Sequence, residues 1–108
     1  LLTLYSSTYS MSWSPPSQIT QGLLSSVKVG IDSTGNAVAV WQENLLGNYV
    51  IRASTKPFNG LWSLPTTIST SSFNDGLVLA VNATGDLYVC WLDLTTNHVI
   101  AINKNINN

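Results

Sequence analysis

Hydrophobic and polar residues alternate along two short stretches of the chain. In residues 26–31, Val27, Val29 and Ile31 alternate with a serine, a lysine and a glycine, and residues 77–81 repeat the alternation in the same phase. Because successive side chains of a β-strand point to opposite faces of a sheet, a period of two predicts a strand with one face more apolar than the other. The pattern therefore predicts one such strand in each half of the chain.

A second kind of stretch follows each of these strands. Residues 37–41 and 87–91 are apolar at almost every position, which predicts strands that are buried on both faces. The connecting segments, residues 32–35 and 82–85, begin with Asp or Asn and end with Gly, and these residues favour tight turns between antiparallel strands. Each half of the chain is thus predicted to contain a β-hairpin.

Two further strands complete the pattern. A third strand is predicted at residues 50–55, and a fourth at residues 62–69. The fourth contains Pro65 and many Ser and Thr residues. Because proline cannot donate a hydrogen bond to a neighbouring strand, this fourth strand is predicted to lie at the edge of its sheet.

The whole pattern recurs with a spacing of 49 or 50 residues. The matched segments are residues 13–20 with 62–69, residues 32–41 with 82–91, and the third strand at residues 1–5, 50–54 and 99–103. Four antiparallel strands in about 49 residues, repeated along a chain, are typical of the blades of a β-propeller, with the first strand innermost. We therefore expect an all-β fold of four-stranded antiparallel blades, with two blades per chain.

The repeat divides the chain inside a blade. Residues 1–20 are predicted to supply the outer strands of a blade shared between chains, residues 21–69 a complete blade, and residues 70–108 the inner strands of the second blade with a surplus terminal strand. Residues 1–10 and 99–108 would then compete for the same position beside residues 87–91. Of the two, the Asn-rich tail is the segment that we expect to be displaced.

Two blades alone cannot bury all their apolar surface. A blade buries its faces only against neighbouring blades, and an open pair would expose two apolar faces and unpaired strand edges. We therefore expect the chain to close a ring with copies of itself, as a homotrimer with six blades or a homotetramer with eight.

Two motifs carry a family resemblance. They are Trp-Ser-x-Pro at residues 13–16 and 62–65, and Asp-x-x-Gly-Asn-Ala-Val-Ala-Val-Trp at residues 32–41. Together with the link at residues 53–63, they resemble the highly repetitive β-propeller repeats of some bacterial proteins. The resemblance covers nearly all of the chain and is best in the middle copy. It implies a propeller fold and no particular activity.

Two better-known groups of propellers fit the sequence less well. Sialidase-like propellers carry a Ser-x-Asp-x-Gly-x-x-Trp box between their third and fourth strands, whereas Asp32 and Gly35 lie between the first and second strands here. Small fucose-binding lectins resemble this chain in length and in having two blades per chain. Their sugar sites use an Arg, a Glu and a Trp in each blade. This chain has a single Arg, Arg52, and a single Glu, Glu43, for its two blades. The resemblance to the lectins therefore extends to assembly and not to the sugar site.

Composition limits the classes of function. Only 8% of the residues are charged and the net charge is −1, which excludes the clustered basic surface that nucleic-acid binding requires. No apolar run approaches 18 residues, so no membrane insertion is expected. A single cysteine, Cys90, allows no disulfide within the chain. The compartment stays open, with an extracellular or cell-surface location favoured.

Catalytic and metal-binding residues are not expected. His98 is the only histidine and is predicted to lie in a turn, while Cys90 is predicted to be buried in a strand. No Cys and His residues have the spacing of metal ligands, and Asp32 and Asp86 are best explained by turn formation rather than by calcium binding. The sequence therefore predicts no enzyme, no metal and no cofactor.

If a ligand site exists, we expect it on the loops that join the fourth strand to the first and the second to the third. Tryptophans at matching repeat positions usually pack between blades, with stacking on sugar rings as the alternative. The candidate ligand-binding residues are Trp41, Trp91, Glu43, Asp93, Asn44, Asn74 and Asp75. The predicted function is a non-catalytic propeller module that self-assembles into a structural or binding scaffold. The alternative is a carbohydrate-binding lectin with glycan sites repeated around the ring.

Overall fold

The computed structural model describes residues 13–108, and this part of the chain contains seven β-strands and no helix. The strands are β1 (Leu23–Ile31), β2 (Ala37–Leu45), β3 (Asn48–Lys56), β4 (Thr66–Thr67), β5 (Asn74–Val81), β6 (Asp86–Asp93) and β7 (His98–Asn105). The all-β prediction is confirmed for these residues. The strand expected at residues 1–10 lies outside the described part of the chain.

The strands form two antiparallel sheets in chain order. The first sheet has four strands in the order β1-β2-β3-β4, and the second has three in the order β5-β6-β7. Every pairing within the sheets is antiparallel and joins strands that are consecutive in the chain. Each sheet is therefore a simple up-and-down meander.

The fourth strand is much shorter than predicted. Instead of residues 62–69, only Thr66 and Thr67 form strand pairs, opposite Ala53 and Arg52. Pro65, immediately before them, has no N–H group with which to extend the ladder. The prediction of an edge position is confirmed, since β4 is the last strand of its sheet.

The first strands of the two sheets share an irregularity at matching positions. The register of β1 against β2 shifts between Ser25 and Lys28, and that of β5 against β6 shifts between Asp75 and Val78. One residue within each bulge has a left-handed backbone conformation: Ser26 has a φ of 55° and Gly76 a φ of 68°. A bulge bends the strand and increases its twist, so both sheets bend at the same level.

The hydrophobic core lies between the two sheets. We call the sheet surfaces that meet there the inner faces and the opposite surfaces the outer faces. The buried core residues are Val38, Val40 and Ile51 from the four-stranded sheet and Leu77, Leu87, Val89 and Trp91 from the three-stranded sheet. Partly buried side chains around them include Ala53, Ile68, Leu79, Val81, Ile100 and Ile102. The molecule is thus a two-layer packing of sheet on sheet.

The two inner faces approach most closely at Gly30. A Cβ atom placed on Gly30 would lie 2.5 Å from Cγ2 and 3.3 Å from Cβ of Val81 on β5. No side chain other than hydrogen fits between β1 and β5 at this point. The alternation that puts Gly30 on the same face as Val38, its partner on β2, therefore permits the sheets to pack.

Residues 87–91 are not buried on both faces as predicted. Leu87, Val89 and Trp91 point into the core, but Tyr88 on the outer face is 53% exposed and Cys90 is half-buried. The matching strand β2 has the predicted burial at residues 38–41. In this single chain the prediction is wrong for β6, whose outer face is open at Tyr88, whereas Ala39 and Trp41 on the outer face of β2 are buried.

The register of β7 also differs from the sequence repeat. A spacing of 49 matches Arg52 with Ala101, but Arg52 pairs with Trp41 whereas Ile100 pairs with Trp91. The loop between β6 and β7 has four residues, Leu94 to Asn97, where the β2–β3 loop has two. A slip of one residue exchanges the two faces of a strand, and this register places Ile100 and Ile102 in the core.

The Asn-rich tail is not displaced in the single chain. Residues up to Asn105 pair with β6, and the Ile106 N–H donates to the Gly85 carbonyl at 2.7 Å. The side chains of Asn36 and Asn107 are also hydrogen-bonded, at 3.0 Å. The tail therefore connects the turns at one end of both sheets of this chain.

The close approach at Gly30 predicts a specific coupling between two positions. Gly30→Ala should lower the free energy of unfolding by about 1–3 kcal/mol, because the new methyl group overlaps the branched Val81 side chain. In the double variant with Val81→Ala the overlap is removed. The combined loss should therefore be smaller than the sum of the single losses, measured by urea denaturation at one protein concentration. Additive losses would show that the two sheets do not meet at this point.

Candidate functional site

An open cleft lies between the two sheets at the end where β2 leads into β3 and the chain enters β5. Its volume is about 390 Å³. It is lined by Ser25, Gln42, Tyr49, Phe73, Asn74, Asp75 and Leu94. Both sheets contribute to the wall, so the cleft exists only because the sheets pack together.

Two aromatic rings form the apolar part of the cleft. The rings of Tyr49 and Phe73 are stacked with centroids 6.0 Å apart and an interplanar angle of 29°. Both rings remain largely accessible, Tyr49 at 41% and Phe73 at 49% exposed. The backbones of the two residues form an isolated parallel bridge, which fixes the base of the pair.

Hydrogen bonds hold the two walls of the cleft together. The Tyr49 N–H donates to the Ser72 carbonyl at 2.7 Å, and Gln42 Nε2 donates to the Asn74 carbonyl at 2.7 Å. Asn74 Nδ2 in turn donates to the carbonyls of Tyr49 and Ser71, both at 2.8 Å. Because these bonds join the two sheets directly, the cleft is preorganised.

Three of the predicted ligand-binding residues line the cleft or the hollow beside it. Asp75 is exposed and lines the cleft, and Asn74 lines it while being only 1% exposed. Asn44 lines an adjoining hollow that shares Gln42 and Tyr49 with the cleft. The Asn44 Oδ1 accepts a hydrogen bond from the N–H of Gly47 at 2.8 Å, so this side chain also shapes the β2–β3 turn.

Trp41 and Glu43 lie on the outer face of the four-stranded sheet, away from the cleft. Trp41 Nε1 donates to Glu43 Oε1 at 2.9 Å, and Arg52 Nη1 lies 3.5 Å from Glu43 Oε2. Arg52 Nη2 donates to the Pro65 carbonyl at 3.0 Å. Trp41 and Glu43 are both buried, so this cluster connects neighbouring strands and leaves no ring face for a ligand.

Trp91 and Asp93 also have structural surroundings. Trp91 lies in the core between the sheets. Asp93 is buried and accepts hydrogen bonds from Ser71 Oγ at 2.8 Å and from the Thr95 N–H at 2.9 Å. The bond from the Ser71 hydroxyl, followed by those from the backbone, lowers the pKa of Asp93. Asp93 therefore holds the β6–β7 turn against the segment before β5.

His98 and Cys90 are not brought together with other reactive groups. His98 is exposed at the start of β7 and Cys90 is half-buried in β6. Within residues 13–108, no three His, Cys, Asp or Glu side chains are grouped closely enough to hold a metal ion.

The sequence analysis missed the aromatic pair. Tryptophans were considered because they recur at matching repeat positions, whereas the residues that match Tyr49 and Phe73 are His98 and Leu23, so neither aromatic residue recurs. The available signal was the presence of large aromatic residues in loop segments, where exposure is expected. Only the packing of the two sheets shows that Tyr49, at the start of β3, and Phe73, just before β5, lie together.

The opposite end of the molecule contains two hydrogen-bonded turns. Asp32 Oδ1 accepts from the N–H groups of Thr34 and Asn36, and its Oδ2 accepts from Asn36 Nδ2. The Asn36 side chain, with smaller contributions from these N–H groups, holds the pKa of Asp32 at about 2. Asn82 occupies the matching position in the second turn and accepts from the Thr84 and Asp86 N–H groups.

No protein-family model matches the chain, and no match appears among curated proteins or among solved structures. In residues 13–108, the structure contains no helix with the length and apolar character needed to cross a membrane.

The turn at Asp32 predicts a measurable dependence of stability on pH. Its folded pKa lies below the unfolded value of about 4, so the stabilisation is complete above that pH and is lost as the pH falls towards about 2. Asp32→Asn keeps the residue that the second turn uses and removes the titrating group. Urea denaturation at about pH 5 and about pH 2 should show a smaller acid loss for this variant than for wild type. Equal losses in the two proteins would contradict the assignment.

Proposed function

We propose that the chain is a non-catalytic β-propeller module that assembles with copies of itself into a closed ring, with each sheet serving as one blade. A ring of three chains would contain six blades and a ring of four would contain eight. The direct activity is self-assembly, which produces a structural or binding scaffold. The proposal rests on how the exposed and buried faces of the two sheets correspond.

The first strands of the two sheets carry matching residues with opposite exposure. Leu77, Leu79 and Val81 on β5 belong to or pack against the core. The residues fifty positions earlier, Val27, Val29 and Ile31 on β1, are 59%, 67% and 63% exposed. A row of side chains that is covered in one sheet is therefore open to solvent in the other.

The second strands show the converse relation. Val38 and Val40 on the inner face of the four-stranded sheet are buried. Their counterparts fifty positions later are Tyr88, which is exposed, and Cys90, which is half-buried, both on the outer face of the three-stranded sheet. Val78, Leu92 and Val99 add to the exposed apolar surface of that sheet.

These correspondences support a second copy of the chain as the partner. Inside the chain, the inner face of the four-stranded sheet, which carries Val38 and Val40, packs on the inner face of the three-stranded sheet, which carries Leu77. By the repeat, the outer face of the three-stranded sheet corresponds to the inner face of the four-stranded sheet. The outer face of the four-stranded sheet corresponds to the inner face of the three-stranded sheet. Stacking chains head to tail would thus repeat the internal contact, and such a contact closes into a ring when its rotation divides a full turn.

An unpaired strand edge supports the same arrangement. In the four-stranded sheet β4 covers part of the edge of β3, whereas within residues 13–108 β7 has no strand beyond it. Residues 13–20 match residues 62–69, which contain β4, and residues 17–20 form no strand in the described chain. We expect this segment of one chain to lie along β7 of its neighbour, where it would cover an edge that otherwise favours uncontrolled pairing.

The mass of the native protein at micromolar concentration is the first test. Native mass spectrometry or light scattering should give a discrete trimer or tetramer. A monomer would contradict assembly. A mass that keeps rising with concentration would contradict ring closure, because a head-to-tail contact that does not close produces open filaments.

Two face-directed variants test which surfaces meet. Val29→Asp and Tyr88→Asp each place a carboxylate in one proposed contact face, and each should weaken assembly by about a hundredfold or more, since an unpaired buried charge costs several kcal/mol. Leu46→Asp is the control, because Leu46 is fully exposed in the β2–β3 turn. Its assembly should equal that of wild type.

Mixing the two variants distinguishes head-to-tail contacts from contacts between identical faces. Each variant keeps the face that the other has lost, so an equimolar mixture should form a dimer with one chain of each kind and nothing larger. If one variant assembles normally by itself, the contact joins two copies of the same face and the ring proposal is wrong.

A further inference from the structure

The cleft between the sheets has the combination of surfaces that carbohydrates require. The stacked rings of Tyr49 and Phe73 offer an exposed apolar surface, and Asp75 offers an exposed carboxylate beside it. We infer that this cleft binds a neutral saccharide, with the apolar face of a pyranose ring against the aromatic pair and its hydroxyl groups donating to Asp75. The carbohydrate-binding alternative is thereby assigned to a cleft whose aromatic residues do not recur in the sequence repeat.

Charge decides in favour of a neutral ligand. Asp75 is the only charged residue among those that line the cleft, and no Lys or Arg lies among them. An anionic sugar or a phosphate would meet a carboxylate with no compensating cation. The cleft also contains the polar side chains of Gln42 and Asn74, so its wall suits a ligand with several hydroxyl groups better than a purely apolar one.

An unpaired acceptor adds a second, independent observation. Asn74 lines the cleft and is 1% exposed, and its Oδ1 has no hydrogen-bond partner within the described chain. Its Nδ2 is fully used, with bonds to the carbonyls of Tyr49 and Ser71. Leaving a buried acceptor unpaired is costly. The oxygen is closed to solvent in this conformation, so a ligand hydroxyl pairs with it only if the cleft wall opens at Asn74.

The size and rigidity of the cleft fit a small ligand. Its volume of about 390 Å³ is near the lower end of the range of roughly 300–1,000 Å³ found for small-molecule sites. The hydrogen bonds between Tyr49 and Ser72 and between Gln42 and Asn74 hold both walls in position before a ligand arrives. Preorganisation of this kind lowers the cost of binding.

The inference differs from a lectin with a site at every blade. At the proposed contact between chains, the positions that match Phe73, Asn74 and Asp75 are Leu23, Leu24 and Ser25. The second cleft would thus lack both the aromatic pair and the carboxylate. We therefore expect one saccharide site per chain, formed inside the chain and independent of assembly.

The test begins with a panel of neutral mono- and oligosaccharides on an array, followed by calorimetry with the strongest binder. Wild type should bind one molecule per chain. Phe73→Leu should weaken the affinity by about tenfold, because it removes the stacking surface, and Asp75→Asn should weaken it by several-fold. Phe58→Leu is the matched control, since Phe58 is an exposed aromatic residue beside Gly35 at the other end of the molecule.

Each alternative result has a definite meaning. No binding to any neutral sugar, or binding that survives both cleft substitutions, would overturn the inference. Binding of choline in place of sugars would show that the aromatic pair and Asp75 form a cation site instead. The Val29→Asp variant should retain sugar binding without forming rings. A wild-type protein that binds sugar without forming rings would contradict only the proposed assembly.

Discussion

The packing of two apolar sheet faces against each other is the interaction on which the rest of the structure depends. It requires the contact of Gly30 with Val81, where no larger residue fits. Each sheet has two largely apolar faces, and a chain with two sheets can cover only one face of each by this contact. The exposed valines of β1 and the exposed Tyr88 of β6 follow directly from that limit. So does the expectation of a partner, because large exposed apolar surfaces mark interaction sites.

Hydrogen bonds at both ends of the sheets fix how the faces meet. At one end the Ser33 N–H donates to the Ala83 carbonyl at 3.0 Å, and at the other the Tyr49 N–H donates to the Ser72 carbonyl at 2.7 Å. The apolar contact alone is not directional, whereas these bonds are. Together they make the cleft a defined site and give the outer faces a defined relative orientation. Ligand binding would then use the contact between the two sheets, and assembly would use their outer faces.

The cleft could be predicted only in part. Sequence reasoning placed Asn44, Asn74 and Asp75 on loops, whereas the structure has them at the ends of β2 and β5, where they line the cleft or the hollow beside it. It named Trp41 and Trp91 as ring platforms only as the alternative to packing, and both are buried. Of the tryptophans at matching repeat positions, Trp41 and Trp91 are buried whereas Trp13 is exposed. The rings of the cleft lie at the start of β3 and just before β5, at positions that are not aromatic in the other copy, so periodicity carries no information about them.

By itself, the sequence determined the strands, the turns and the edge position of β4, because these depend on local alternation and on residues such as Pro65 and Gly35. Only the tertiary structure decided the register of β7, the pairing of the Asn-rich tail with the first half of the chain, and the exposure of Tyr88. The local pattern of a strand shows that its two faces differ or that both are apolar. Which apolar face is buried depends on what packs against it, and that is set by residues distant in the chain.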